Sequence, residues 1–231
     1  MTSTTDFNEI TVFGARGTSL MILRLLEEHW QGRVRIVALI DDIDNGFDHD
    51  QLGVPVISSE ARQRDFSDVP VLNTISKPEL RARIHDQLIA DGATLATATC
   101  RDQIHVDPSI QYSAGCLVSP NTRIGPNVTI GDGAMVLSTI VAHDVEIGRF
   151  CNLGIHSSVL GHVVLEDRVN IAPNATVGNG HPDKPIRIGA DAILGVGTVA
   201  TRSVPAEANM VGNPAMSVQH WRKLHRLLSS T

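Results

Sequence analysis

Aromatic residues are scarce in this chain: five phenylalanines, two tryptophans and one tyrosine among 231 residues, 3% of the total. Any core must therefore be built from aliphatic side chains, which suits a narrow interior with no room for rings. Cysteine is nearly absent too. Cys100, Cys116 and Cys151 show no metal-type spacing, and an odd number argues against a disulfide framework. They read as small buried hydrophobes in a reducing cytoplasm. No run is long or apolar enough to span a bilayer, so membrane insertion is not expected. The opening Met1-Thr2-Ser3-Thr4-Thr5-Asp6 lacks the basic and apolar regions of a signal peptide. A net charge of −6, with basic residues clustered only near the C-terminus, gives no footing for nucleic acid.

What the chain does have is a beat of six. Ile147, Leu153, Val159, Leu165, Ile171 and Val177 follow one another at that interval, and Val118, Ile124, Ile130 and Val136 keep it upstream. Glycine follows the aliphatic residue at Ile124, Ile130, Ile147, Leu153, Val177, Ile188 and Leu194. A period so short fits a parallel β-solenoid in which each hexapeptide forms one side of a triangular coil. A β-sandwich has no reason to keep it. Corners fall at Pro120-Asn121, Pro126-Asn127, Asp132-Gly133 and Pro173-Asn174, where turn residues cluster. The beat breaks twice, each time with an interval of eleven: Val136 to Ile147, across Ala142-His143-Asp144, and Val177 to Ile188, across a polar loop from Gly178 to Pro185. Interruptions of a regular scaffold are where side chains can leave the packed pattern and form a site.

Residues 8–99 follow another grammar. Ile10–Phe13 reads as a strand running into Gly14-Ala15-Arg16-Gly17, then a helix with Leu20, Ile22, Leu23 and Leu26 on one side. Val34–Ile40 is a second strand, ending in Asp41-Asp42; shorter strands follow near Val54–Ile57 and Val69–Leu72. Ser76-Lys77-Pro78-Glu79 has the form of a capping box for a helix that ends at Gly92. Alternating strands and helices predict a small parallel α/β unit of Rossmann type. Its Gly-rich turn is either a phosphate cradle, with the acidic pair reaching a ribose or base, or a tight strand-to-helix connection. The turn lacks the third glycine of a dinucleotide fingerprint.

Together the G-A-x-G turn, the Ile40-Asp41-Asp42 step, the hexapeptides and a closing Gly212-Asn213-Pro214-Ala215 resemble one family over nearly the whole chain, from about Ile10 to Ala215. It is the left-handed β-helix sugar acyltransferases: nucleotide-amino-sugar N-acetyltransferases of bacillosamine or perosamine type, and sialic acid O-acetyltransferases. The resemblance implies a Rossmann-like nucleotide-sugar-binding domain over 8–100, a left-handed parallel β-helix over 105–216 and a C-terminal helix over 217–231. It implies a catalytic His143 with Asp144, a main-chain amide at Gly161 near the thioester, and acetyl-CoA along Asn152, Gly161, Pro173, Gly195 and Val196. Nucleotide-sugar contacts would come from Gly14, Ala15, Arg16, Gly17, Asp41 and Asp42. It implies a cytoplasmic homotrimer with sites between subunits. Departures are Arg16 in place of a small residue, Thr18 where histidine is frequent, Asn152 in place of a second histidine, and a longer 178–185 loop.

The implied chemistry is attack of an amine or hydroxyl on the acetyl-CoA thioester. A neutral imidazole suits removal of the attacking proton. Asp144, or else Glu146, would orient it, and a backbone N–H would meet the oxyanion. No metal is expected. His156 and His162 do not have the spacing of hexapeptide carbonic anhydrases, and no histidine stands between Gln111 and Ala142. N-transfer and O-transfer to a sugar stay open, as does a non-catalytic scaffold. A nucleotidyltransferase is disfavoured by the short N-terminal unit. The tail from Val218 to Leu228 reads as a basic amphipathic helix that packs on the trimer rather than enters a membrane.

Overall fold

The computed structural model describes residues 2–99 and 105–229. Cys100, the expected junction at 100–105 and the last two residues of the expected C-terminal helix lie outside the described residues, at least in part. The β-solenoid is present. Three sheets of parallel strands run along a prism, and the chain visits them in rotation. The first holds Leu117–Val118, Met135–Val136, Asn152–Leu153, Asn170–Ile171 and Ile193–Leu194, extended by Asn209–Val211 and an antiparallel Met216–Ser217. The second holds Arg123–Ile124, Ile140–Val141, Ser158–Val159, Thr176–Val177 and Val199–Ala200. The third holds Gln111–Tyr112, Thr129–Ile130, Val145–Ile147, Val163–Leu165 and Ile186–Ile188.

The beat of six explains this register. Three sides make a coil of eighteen residues, so Ile147 lies on Leu165, Leu153 on Ile171, and Val159 on Val177. All six are buried and belong to one aliphatic core. Each such side chain contributes roughly 2 kcal/mol of hydrophobic stabilisation. Corners turn on residues of positive φ: Asn121, Asn127, Asp144, Phe150, His156, His162, Arg168 and Asn174 all lie between 56° and 64°. The glycines after the aliphatic positions serve close approach. A Cβ on Gly148 would stand 2.7 Å from the carbonyl carbon of Glu166 in the next coil.

The two interruptions differ from the sequence expectation. The short interval lies between Val136 and Val141, one residue less than a full side, with Ser138 at φ 43°. The side from Val141 to Ile147, which carries His143 and Asp144, is of regular length. The second interruption is an insertion: Leu165 pairs with Ile188 rather than with a residue eighteen further on, so five additional residues bulge at that corner. A bridge between His181 and Lys184 closes the bulge.

The N-terminal segment forms an α/β unit. Its sheet runs in the order Ser3–Thr4, Leu95–Ala96, Val71–Asn73, Glu9–Phe13, Arg35–Ile40, Pro55–Ile57, Phe47–Asp48, parallel except for the last pair. Helices α1 (Thr18–Trp30), α2 (Ser59–Asp65) and α3 (Pro78–Ala90) connect the strands. The short α2 and the two-residue strands carry no period long enough to read in the sequence. The expected capping box is not formed. Lys77 is the N-cap of α3 without a side-chain bond, and Pro78 begins the helix. The Ser76 carbonyl is instead engaged by Arg81.

The unit sits on the outer face of the first solenoid sheet. Leu117, Met135 and Leu137 share a core with Ile10, Val12, Leu23 and Leu39. Arg81 stitches the two together. Its guanidinium, only 1% exposed, donates to the carbonyls of Gly133, Phe150 and Cys151 on the solenoid and of Ile75 and Ser76 beside its own helix, at 2.6–3.1 Å. Burial pulls its pKa down to about 10, so it stays charged at neutral pH. Helix α4 (Val218–Ser229) ends the chain, with Trp221, Leu224 and Leu227 exposed. Among the described residues no helix is long and apolar enough to cross a membrane.

Replacing Arg81 with alanine takes a donor from five carbonyls, of which that of Cys151 keeps the Met135 amide. Arg81→Ala is expected to cost at least about 3 kcal/mol, read as a lower urea midpoint, and Arg81→Lys to restore only part of it. His85 makes the same interface sensitive to acid. Its buried ring packs edge-on against Phe150 at 5.0 Å and its Nε2 has no partner. Burial lowers its pKa, outweighing Asp132 and Asp86. The unfolded chain therefore takes up the proton first. The stability from neutral His85 is complete above the unfolded imidazole value near 6.5 and is lost as pH falls below it towards the folded value. The thermal midpoint should drop between about pH 7.5 and pH 5.5, and less so in His85→Gln; equal slopes would remove His85 as the cause.

Candidate active site

One corner of the prism, between the second and third sheets, gathers the polar groups. Ala142, His143 and Asp144 turn it, with Asp144 at φ 56°. Neighbouring side chains in a strand point apart, but this left-handed turn swings them together. His143 Nδ1 lies 2.8 Å from Asp144 Oδ2. Asn127, one coil below, donates from Nδ2 to Asp144 Oδ1 at 3.0 Å. The bonds from His143 and then Asn127 hold the Asp144 carboxyl below its ordinary pKa, helped by charge at His162. Asp144 is thus ionised throughout the neutral range and fixes the tautomer: Nδ1 carries the proton and Nε2 is free to accept one. The pair is open to solvent, with the His143 side chain half exposed. Glu146 projects outward from its strand, and the partner role falls to Asp144.

The coil above supplies Gly161 and His162. Gly161 lies flush against the His143 ring: a Cβ there would stand 2.6 Å from Cε1 and 2.8 Å from Nε2. His162 crosses His143 edge-on at 5.1 Å, with its Nδ1 3.8 Å from Asp144 Oδ2. His143, Asp144 and His162 offer ligand atoms within 4.8 Å of one another, so among the described residues these three could hold a cation. His156 sits on a different corner and takes no part. The Gly161 amide, expected to face the thioester, donates to Asn179 Oδ1 at 2.9 Å in this structure. Asn127, His162 and Asn179 were not picked out from the sequence as site residues. The signal for them was the coil length: Asp144 lies on Asn127 and His162, and Gly161 on Asn179.

Of the residues expected along acetyl-CoA, those other than Gly161 lie away from the His143 corner. Pro173 and Gly197 meet at the neighbouring corner, where Gly197 N–H donates to the Pro173 carbonyl at 3.1 Å. Gly195 and the exposed Val196 adjoin them. Asn152 lies on the first sheet, bonded through Nδ2 to Asn170. The strands Ser158–Val159 and Thr176–Val177 separate this group from Gly161.

The N-terminal unit has its own cavity of about 540 Å³, at the carboxyl ends of Glu9–Phe13 and Arg35–Ile40. Gly14, Ala15, Arg16, Asp41 and Asp42 line it together with Arg83 and Gln87 of α3, which the sequence did not single out. Gly14, at φ 121°, has no room for a side chain beside Ser19 and Thr74. Gly17 caps α1 and is not among the lining residues. The acidic pair also has local duties. Asp41 Oδ1 accepts from the amides of Ile43 and Asp44, and Asp42 accepts from the amide and hydroxyl of Ser59. Arg16 pairs with Asp44. No solenoid residue lines this cavity.

No family model matches the chain. The GDP-perosamine N-acetyltransferase of Escherichia coli O157:H7 is 32% identical over 146 residues, 63% of this chain and 66% of that protein. WeeI from Acinetobacter baumannii AYE superposes with a TM-score of 0.79 at 28% identity, over 91% of this chain and 100% of its own. A His-to-Asn variant of perosamine N-acetyltransferase from Caulobacter crescentus, solved with CoA and GDP-perosamine, shares the fold with a TM-score of 0.79 at 24% identity, over 93% of this chain and 99% of its own. The chain spans about two thirds or less of the curated relatives it matches first. The chain is similar to hexapeptide-repeat acyltransferases over most of its length.

Gly161→Ala should push the His143 ring off Asp144 while the far corners keep the fold. Labelled-histidine NMR would register this as a changed His143 Nδ1 signal; an unchanged signal would mean that the ring has room to spare.

Proposed function

We propose that this chain is an acetyl-CoA-dependent N-acetyltransferase acting on a nucleotide-linked 4-amino sugar in bacterial surface-glycan biosynthesis. The observation that carries the proposal is the 2.8 Å pair of His143 and Asp144, set at an open corner with Gly161 against the ring. The substrate class rests on the E. coli relative, named as a GDP-perosamine N-acetyltransferase. In this reading the solenoid is left-handed, and the N-terminal α/β unit is the Rossmann-like domain that takes the nucleotide. The cavity beside Gly14 and Asp41 supports that assignment. Acetyl-CoA lies on the outer face of the second sheet, from the Pro173–Val196 corner to Gly161. The nucleotide cavity and the His143 corner share no residue within one chain. A cytoplasmic homotrimer, in which one protomer's cavity faces its neighbour's corner, brings them together, and the exposed stripe of α4 is surface such an assembly can cover.

His143 Nε2 takes a proton from the sugar amine as the nitrogen attacks the thioester carbon. Asp144 holds the ring and stabilises the imidazolium. Collapse breaks the C–S bond, and His143 returns the proton to the departing CoA thiolate. The residues need no metal for these steps.

The test offers GDP-, UDP- and dTDP-linked 4-amino sugars, with sialic acid as the O-acetyl alternative, and follows release of free CoA. Turnover with an amino sugar is expected, falling at acid pH as the attacking amine becomes protonated. His143→Ala should lower kcat by about 10²–10⁴-fold. Turnover with sialic acid alone would replace the N-transfer assignment.

A further inference from the structure

The structure assigns the oxyanion-donor role to Asn179, through its side-chain Nδ2, with Gly161 acting as its anchor. The assignment rests on the acetyl-transfer reading above and deepens it. A backbone amide has a single proton, and that of Gly161 is given to Asn179 Oδ1 at 2.9 Å. Because Gly161 must be the donor, the bond fixes which end of the carboxamide faces inward. Oδ1 points to Gly161, and the NH2 group points away. No other side-chain bond of Asn179 is formed among the described residues, and the residue is exposed, so two donor protons are presented to the open corner.

The position is also held. Gly178 donates its amide to the Ala200 carbonyl and Gly180 donates to the Gly161 carbonyl, both at 2.9 Å. Asn179 is therefore clamped at both neighbours, ahead of the inserted bulge rather than on it. His143, Gly161 and Asn179 stand on three successive coils of one corner, with Gly161 between the imidazole and the carboxamide. On this assignment the thioester oxygen is directed to this column. As the C–N bond forms, the carbonyl π pair moves to oxygen, and Nδ2 donates to the resulting oxyanion. The pair returns when the C–S bond breaks and the sulfur leaves with the proton from His143. A donor fixed before the reaction begins costs no reorganisation in the transition state.

Two variants test this against the alternative that Asn179 merely plugs the Gly161 amide. Asn179→Ala removes the donor. Asn179→Asp keeps an acceptor of the same size for Gly161 but removes the donor and places charge where the oxyanion forms. Both should lower kcat by about 10²-fold or more. KM for acetyl-CoA, and CoA affinity by calorimetry, should stay within a few-fold of wild type. Unchanged or raised kcat in Asn179→Ala overturns the assignment, as does an Asp variant that turns over normally, since holding Gly161 would then suffice. Wild-type protein that releases no CoA with any amino sugar sinks the acetyl-transfer reading and this assignment with it. Normal wild-type turnover with unaffected variants sinks this assignment alone.

Discussion

The eighteen-residue coil is the constraint on which the rest depends. Most sides supply a pair of inward residues, such as Val145 and Ile147 or Val163 and Leu165, and most corners turn on a residue of positive φ, so positions stack on the matching positions of the next coil. Left-handed φ disfavours most L-residues by about 1 kcal/mol or more, and asparagine, aspartate and histidine are among the side chains that tolerate it best. The corners of this solenoid are therefore where polar side chains are both permitted and repeated. Asn127, Asp144 and His162 are three turns of one such column.

A column of this kind makes a site with little further machinery. The αL turn at Asp144 closes the imidazole–carboxylate contact between sequence neighbours, and the coil below supplies the amide that holds the carboxylate. The coil above supplies a glycine small enough to lie beneath the ring. The inserted segment follows this same corner, just after Asn179 and Gly180 are bonded to Gly161.

The N-terminal unit joins the scaffold by a different principle. Outward positions of the first sheet, Leu117 and Met135, are buried because the unit covers them, whereas Arg123 and Ile140 on the uncovered second sheet are exposed. The hydrophobic seam is pinned by Arg81, whose charge meets five carbonyl dipoles and no carboxylate. That pattern gives direction to an otherwise slippery apolar contact, and explains why a long charged residue can stand in a closed interface.

The solenoid was legible because its period is local: Ile147, Leu153 and Val159 announce it within a dozen residues, and Asp41 and Gly14 were readable from a strand followed by its turn. His143 and Asp144 were singled out through family resemblance, and the supposed interruption at that point proved to be the short side ending at Val141. The capping box failed because Pro78 fits the first helical turn better than Ser76 fits the cap. By itself the sequence determined the coil, its inward column, its turn residues and the α/β pattern before it, since each follows from spacing along the chain. Only the tertiary structure decided that Arg81 bridges to Gly133 and Phe150, that His162 rather than His156 faces His143, and that Asn179 holds the Gly161 amide. Those contacts join residues a coil or more apart, and their partners are set by stacking register, which a single five-residue side or a five-residue insertion shifts.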